Sequence, residues 1–410
     1  MGYQQGLSGL ASASNDLDVI GNNIANANTV GFKQSTAQFA DVYANTLATS
    51  VNNQIGLGAA LANVQQDFSQ GTINTTGQAL DVAINGNGFF QMSNSGTLTY
   101  SRNGVFQLNS NGYITDAQGN DLMGYAANSA GVINTAQTVP LQVPTTNIAP
   151  LATTSVAAQV NLNAQASAPT VTPFSPTNSS SYSYSTSITG YDSLGGSQTI
   201  NLYYVQSATG TAQVYAVNNG TTTELGTMSF NSSGQLSGTT LPSGTATTSS
   251  GIFSLPITPT DGAAPQTVSI NVNGTTQYGS ANGVNNLTQN GYASGTLSNF
   301  TIGTNGTITG NYSNGQTMAL GQIVLANFNN PNGLVNLGGN QFQETAASGV
   351  AQVSTPGSTN HGTLSGGAVE ESNVDLTNQL VDLITAQRNY QANAQTIKTQ
   401  QTVDQTLLQM

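Results

Sequence analysis

The chain has 410 residues, room for two or three domains, and with 37% hydrophobic residues it can bury ordinary cores. Only 5% is charged, against about 25% in a typical globular protein. Its cations are Lys33, Arg102, Arg388 and Lys398, with none from Asn103 to Gln387, which excludes a nucleic-acid surface, because phosphate neutralisation needs clustered cations.

The net charge of −12 comes from scattered acids and describes a solvated, mildly self-repelling surface. The chain has no Cys, so disulfides, thiolate metal sites and Cys nucleophiles are all excluded. The Met1 end shows no cationic segment followed by an apolar run, and no stretch of about 18 apolar residues occurs. Neither a cleaved leader nor a membrane span is expected, although the Asn-, Thr-, Ser- and Gly-rich composition suits an extracellular protein.

At the front, Tyr3, Leu7, Leu10, Ser14, Leu17, Gly21 and Ile24 follow alternating steps of four and three, the seam of a coiled coil, with Ala13 and Ile20 widening it. Gly6, Gly9 and Gly21 weaken this helix by roughly 1 kcal/mol each. They mark either frayed ends or close approach of another backbone. Burying Leu7, Leu10, Leu17, Ile20 and Ile24 contributes roughly 8–15 kcal/mol, less than the ordering of two dozen residues at about 1–2 kcal/mol each. Alone the stripe is marginal, so it needs the tail helix. The two form either an ordinary antiparallel pair closing one globular domain or, favoured because nothing between the ends looks helical enough to cover both stripes, an assembly with further copies of the same pair.

Next come short strands broken by Asn-Gly turns every 8–12 residues, "LDVAINGNGFFQM" (Leu80 to Met92), "TLTYSRNGVFQLNSNGYIT" (Thr97 to Thr115) and "DLMGY" (Asp121 to Tyr125), an antiparallel meander. A second such block runs from about Asn290 to Phe328. Between them, Asn147 to Asn286 reads as a β domain inserted between two halves of another, with "TVTPFSPTNSSSYSYSTS" its most linker-like stretch and "QTINLYYV" (Gln198 to Val205) a strand.

At the back, Ser372 to Asp375 matches the Ser-x-x-Asp capping box. Leu376, Leu380, Leu383, Tyr390, Ala394 and Ile397 then continue at helical spacing. Asp375 and Asp382 come early and Arg388 and Lys398 late, the order that the helix dipole favours.

No catalytic, cofactor-binding or metal-binding constellation emerges. His361, the single histidine, lies in a turn-like polar loop, where a solvated role outweighs a Ser-His-Asp catalyst. Gly86 and Gly88 in "INGNGFF" precede no helix or Walker lysine and read as a hairpin turn. Asp116 and Asp121 in "TDAQGND" lack the further acids of a calcium loop and suit a turn. Glu370 and Glu371 are explained by negative charge near a helix start.

"LSGLASASNDLDVIGNNIANANTVGFK", then "LDVAINGNGFFQ" and "YSRNGVFQLNSNGYI", and finally "VEESNVDLTNQLVDLITAQRNYQANAQTIKTQ" resemble, in order, the bacterial flagellar rod and hook family. The long central insertion, with "GYDSLGGSQTINLYYV" and "NYSNGQTMALGQIVLANFNNPNGL", is similar to the hook members, since the rod members are much shorter.

The resemblance implies a mixed α and β chain of discontinuous domains. Residues 1–30 plus 372–410 form a terminal helical coiled-coil layer, 31–70 plus 345–371 a connector, 71–146 plus 287–344 a β-rich domain, and 147–286 an inserted outer domain, the outer domains being antiparallel. The assembly seam is then Leu7, Leu10, Leu17, Ile20, Ile24, Leu376, Leu380, Leu383, Tyr390 and Ile397.

It also implies a homopolymer of many copies, forming a flexible helical tube that transmits motor torque from rod to filament. The implied partners are the flagellar rod, the hook cap, the hook-filament junction protein and the type III export apparatus, with no nucleic acid and no membrane span. Export without a cleaved signal peptide fits, and Phe39 and Tyr43 in "FADVY" resemble the segment that engages the export gate. The alternatives are a distal rod protein and a low-charge secreted β-rich adhesin.

Overall fold

The computed structural model describes residues 2–42, 56–245, 247 and 251–409. Two compact units divide the chain. The first holds 1–145, 299–311 and 317–410, and the second holds 146–298 and 312–316.

In the first unit, helix α1 (Gly2–Ala25) leads to a two-stranded antiparallel ribbon, β1 (Ser35–Val42) and β2 (Gly58–Gln66), and the chain ends in the 33-residue helix α2 (Leu376–Leu408). At 1.5 Å per residue, α2 is about 50 Å long and α1 about 36 Å. The start of α2 corrects the capping-box reading. Asp375, not Ser372, is the N-cap, and its carboxylate accepts from Thr377 N at 2.9 Å and Asn378 N at 3.2 Å. A charged acceptor one residue before the helix outcompetes a hydroxyl three residues further out.

Strands β3 (Ile73–Thr75), β4 (Val82–Asn85), β5 (Phe89–Asn94) and β6 (Thr97–Ser101) follow. Sequence-distant segments close on them antiparallel: 368–370 pairs β3, 363–366 pairs β4, 325–327 pairs β5 and 341–343 pairs β6. The first half of the chain therefore cannot complete its sheets without the last. One core of this unit is aromatic, with Phe68, Phe89, Phe328 and Phe342 meeting edge to face at centroid distances of 5.4–5.9 Å, the arrangement that ring quadrupoles favour.

The second unit has a five-stranded antiparallel sheet (184–191, 197–208, 211–218, 221–230, 236–240) and a four-stranded sheet (252–257, 266–271, 155–161, 283–289) around a shared core. Period-two burial sets its register: Gln198, Ile200, Leu202, Tyr204 and Gln206 point inward from one strand. One pair departs from the antiparallel expectation, since 155–161 runs parallel to 266–271. The long intervening chain supplies the crossover that a parallel pair requires.

The linker-like stretch is also ordered. Phe174 stacks on Tyr215 at 4.4 Å and leans on Tyr203 at 5.2 Å, while Tyr182 meets Tyr203 at 4.9 Å. Tyr203 and Tyr215 are cross-strand partners, so the segment lies as a strap across the outer face of the five-stranded sheet.

Candidate assembly interface

The helices α1 and α2 pack antiparallel through small and polar residues. A Cβ at Gly6 would stand 3.0 Å from Ile397 Cγ1, and one at Gly9 would stand 2.6 Å from Asn393 Oδ1. These two glycines admit side chains of the partner helix, so the close approach is of side chains rather than of the other backbone; Gly21 faces open space. Further along, Asn23, 1% exposed, donates to Gln379 Oε1 at 3.0 Å and to Ser35 O at 2.7 Å, and accepts from Ser35 N at 2.9 Å. One amide thus joins α1, α2 and β1, each of these bonds standing in for one that the same group would make to water in the unfolded chain.

Of the seam residues expected from sequence, Ile20 is buried and Leu10, Leu17, Ile24, Leu383 and Ile397 are half-buried. Leu7, Leu376, Leu380 and Tyr390 are exposed. On α2 only Gln379 and Ala386 are buried, whereas Leu376, Leu380, Val381 and Ile384 are 47%, 46%, 59% and 51% exposed. Residues at steps of three and four share a face, so α2 presents an apolar stripe left about half exposed among the described residues. The ribbon adds exposed Phe39, Leu61 and Val64. Of the two residues resembling an export segment, Phe39 lies on β1, and Tyr43 lies outside the described residues.

Below the helices, three charges meet. Lys33 Nζ lies 2.7 Å from Glu370 Oε1 and donates to Ser69 O at 2.6 Å. Gly71 N donates to the same carboxylate oxygen at 2.9 Å, and Arg102 Nη2 reaches it at 3.4 Å. Arg102 Nε stands 3.2 Å from Glu370 Oε2, off the line of a hydrogen bond, so that contact is Coulombic. The side chains of Lys33, Arg102 and Glu370 are 0%, 4% and 0% exposed. Burial, and then the Arg102 charge, push the Lys33 ammonium below its ordinary range, and Glu370 opposes both.

Glu370 is therefore the counter-ion of two buried cations, which corrects its reading as a helix-start charge. Glu371 instead accepts from Asn74 at 3.2 Å. Sequence reasoning missed this clip. Its signal was scarcity, since in a chain with four cations each one merits a partner. Gly31, at φ +72°, makes room, because a Cβ there would stand 2.7 Å from Asn103 N, and its own N–H donates to Glu370 O at 2.8 Å. The segments "TVGFK", "SRNG" and "VEES" thus converge on one point.

The other chemical candidates are structural too. Arg102 Nη1 donates to Gly86 O at 2.8 Å and Gly88 O at 2.6 Å, so the "INGNGFF" turn holds a guanidinium. The Asp116 carboxylate accepts from Gln118 N, Asn120 N, Asn120 Nδ2 and Gln341 Nε2 at 2.8–2.9 Å, which uses the lone pairs that a cation would need. Asp121 makes no such set; burial, and then Asp116, raise its carboxyl above the usual range. The ring nitrogens of His361 face Gln352 O at 2.9 Å and Ser358 O at 3.2 Å, joining two turns of its loop. Among the described residues, no group of three His or acids is arranged to hold a metal, and no helix is long and apolar enough to cross a membrane.

Family models match four parts of the chain: a flagella basal body rod protein at 4–33, a flagellar hook protein FlgE/F/G D1 domain at 83–168, a flagellar basal body protein FlaE D2 domain at 161–292 and a flagellar basal body rod FlgEFG protein C-terminal segment at 365–410. The flagellar hook protein FlgE of Escherichia coli is 42% identical over 418 residues, covering 100% of both chains. The chain belongs to the flagellar hook protein family. The Salmonella typhimurium hook protein FlgE is likewise 42% identical over 100% of both chains, and that of Treponema pallidum is 30% identical over 99% of this chain and 98% of its own. A solved Helicobacter pylori hook protein FlgE2 aligns at 13% identity and TM-score 0.49, covering 71% of this chain and 98% of that one. Hook-family proteins are structural rather than enzymatic, and the matches place this one with the hook and basal body.

Proposed function

We propose that the chain is the subunit of a flagellar hook, polymerising into a flexible helical tube that carries motor torque from rod to filament. The observation that carries this reading is the apolar stripe of α2, which its own chain leaves about half uncovered. Covering Leu376, Leu380, Val381 and Ile384 is worth about 1 kcal/mol each at half exposure, and that sum recurs at every copy of a polymer. The helices would then form an inner coiled-coil layer, with the ribbon and 345–371 as connector and the β-rich parts outside.

In this reading the neighbours are the rod, the hook cap, the hook-filament junction protein and, during type III export, the secretion apparatus that Phe39 helps to engage. The low charge would serve bending. Desolvated ion pairs resist being broken on one side, while Asn, Ser and Thr surfaces exchange hydrogen bonds through water. Lys–Glu pairs placed across outer contacts should stiffen the tube, and unchanged bending rigidity in fluctuation microscopy would overturn that role of charge. Electron microscopy of the concentrated or salt-treated protein tests the main reading: hollow tubes are expected, and a soluble monomer at all concentrations contradicts it.

A further inference from the structure

Two of the four cations are held in the buried clip. The other two, Arg388 and Lys398, both lie on α2 and make no ion pair among the described residues. Meanwhile Asp16 of α1 and Asp382 of α2 border a crevice of about 250 Å³ between α1, α2 and β1, with Asn23, Gln379, Thr385 and Asn389 also on its wall. Among the described residues no cation pairs with either acid. Burial, and then the Asp382 charge, raise the Asp16 carboxyl above its usual range.

Arg388 cannot answer these acids within its own copy. It lies two residues beyond Ala386, which lines the crevice; two residues turn the helix by about 200°, and six residues put about 9 Å of rise between Arg388 and Asp382. Arg388 instead shares the outward face with Val381 and Ile384, at steps of seven and four, both of them exposed. A charged fork flanked by uncovered apolar side chains has the make-up of a docking face, and the surface of opposite charge is on the same molecule.

We infer that, in the assembled protein, Arg388 of one copy enters the Asp16–Asp382 crevice of a neighbouring copy, with Val381 and Ile384 packed beside it. The occupant is a second copy of this chain, identified by charge complementarity: on one surface a guanidinium and on another two carboxylates, none of them in an ion pair among the described residues, Asp382 accepting only a long 3.5 Å bond from Gln379 Nε2. Face and crevice are different surfaces, so the contact is of the heterologous kind, which builds an open helical filament when its rotation does not close a ring. Guanidinium rather than ammonium fits, because its planar fork can serve two carboxylates at once. The inference rests on the assembly reading and deepens it by naming the contact.

The test uses the full chain and the critical concentration for tube formation, measured by sedimentation with microscopy of the pellet. Arg388→Gln should raise that concentration at least tenfold and leave hydrogen exchange of α1 and α2 in the monomer unchanged. Asp382→Arg and Arg388→Asp should each raise it likewise, and the double variant, which restores one opposite-charge pair at every contact while Asp16 remains, should assemble at a lower concentration than either single one. If the unaltered chain forms no tubes, the assembly reading falls and this inference with it. If the unaltered chain forms tubes, and Arg388→Gln forms them at the same concentration or the double variant is no better than the single ones, only the pairing is overturned.

Discussion

Glu370→Gln is a direct probe of what holds the two ends of the chain together within the first unit. The substitution keeps shape and removes charge, leaving Lys33 and Arg102, 0% and 4% exposed at their side chains, without a counter-ion. Removing one partner of a buried pair costs about 3–5 kcal/mol, a large share of the roughly 5–15 kcal/mol that stabilises a domain. Lys33→Met should cost less, about 1–2 kcal/mol, because it leaves Arg102 and Glu370 as a neutral pair and forfeits mainly hydrogen bonds.

The pH dependence has a definite sign. Lys33 is already depressed, and losing Glu370 depresses it further. Between that lowered pKa and the unfolded value of about 10.4, the unfolded chain binds more protons, so stability rises with pH; below the lowered pKa there is no slope from this group. The Glu370→Gln deficit should therefore narrow as pH is raised from 7 to 10. Hydrogen exchange at pH 7, read at the Gly71 amide that donates to Glu370, measures the deficit, and urea midpoints followed by circular dichroism measure its pH course. A Lys33→Met variant as destabilised as Glu370→Gln, or a deficit flat from pH 7 to 10, would refute the reasoning.

Two further outcomes are expected. Asn23→Ala strands Ser35 N, Ser35 O and Gln379 Oε1 and should loosen the α1–α2–β1 junction by about 2–3 kcal/mol, seen as faster exchange at the Ser35 amide while the second unit is unaffected. Phe174→Ala removes the ring stacked on Tyr215 and should cost the second unit about 2 kcal/mol, with loss of its near-ultraviolet dichroism. An unchanged urea midpoint would show that the strap adds nothing.

The parts legible in the sequence were those governed by period and turn chemistry. Alternation placed the strand at Gln198 to Val205 and turn chemistry placed strands between Leu80 and Tyr125, because both are local demands, but these strands do not form the expected meander: β4 pairs 363–366, and 121–126 returns to β5. Both terminal helices were equally plain. The missed features depend on residues beyond the reach of any local pattern, 337 positions apart for Lys33 and Glu370 and about 30–40 for Phe174 and its tyrosines. Lys33 and Glu370 are brought together by the closing strands, and Phe174 is made a strap by two tyrosines facing outward from a sheet, which no local pattern encodes.

The face that α2 turns to α1 was hidden for a different reason. Of its members Gln379, Ala386 and Asn393 are small or polar and escape an apolar pattern, and only Ile397 was among the seam residues expected, while the leucines at 376 and 380 point away. The hydrophobic stripe and the intramolecular seam are thus different faces of one helix.

That distinction gives the most direct test of the account. In the full chain, Leu380 and Ile384 are replaced together by Asn, two exposed positions whose loss should leave the monomer's α1–α2 exchange protection and urea midpoint unchanged, and tube formation is followed by electron microscopy across a concentration series. A monomer with native protection that no longer forms tubes at concentrations where the unaltered chain does is the result expected. Tubes of normal diameter at the usual concentration would contradict the claim that these helices are faces for sister copies.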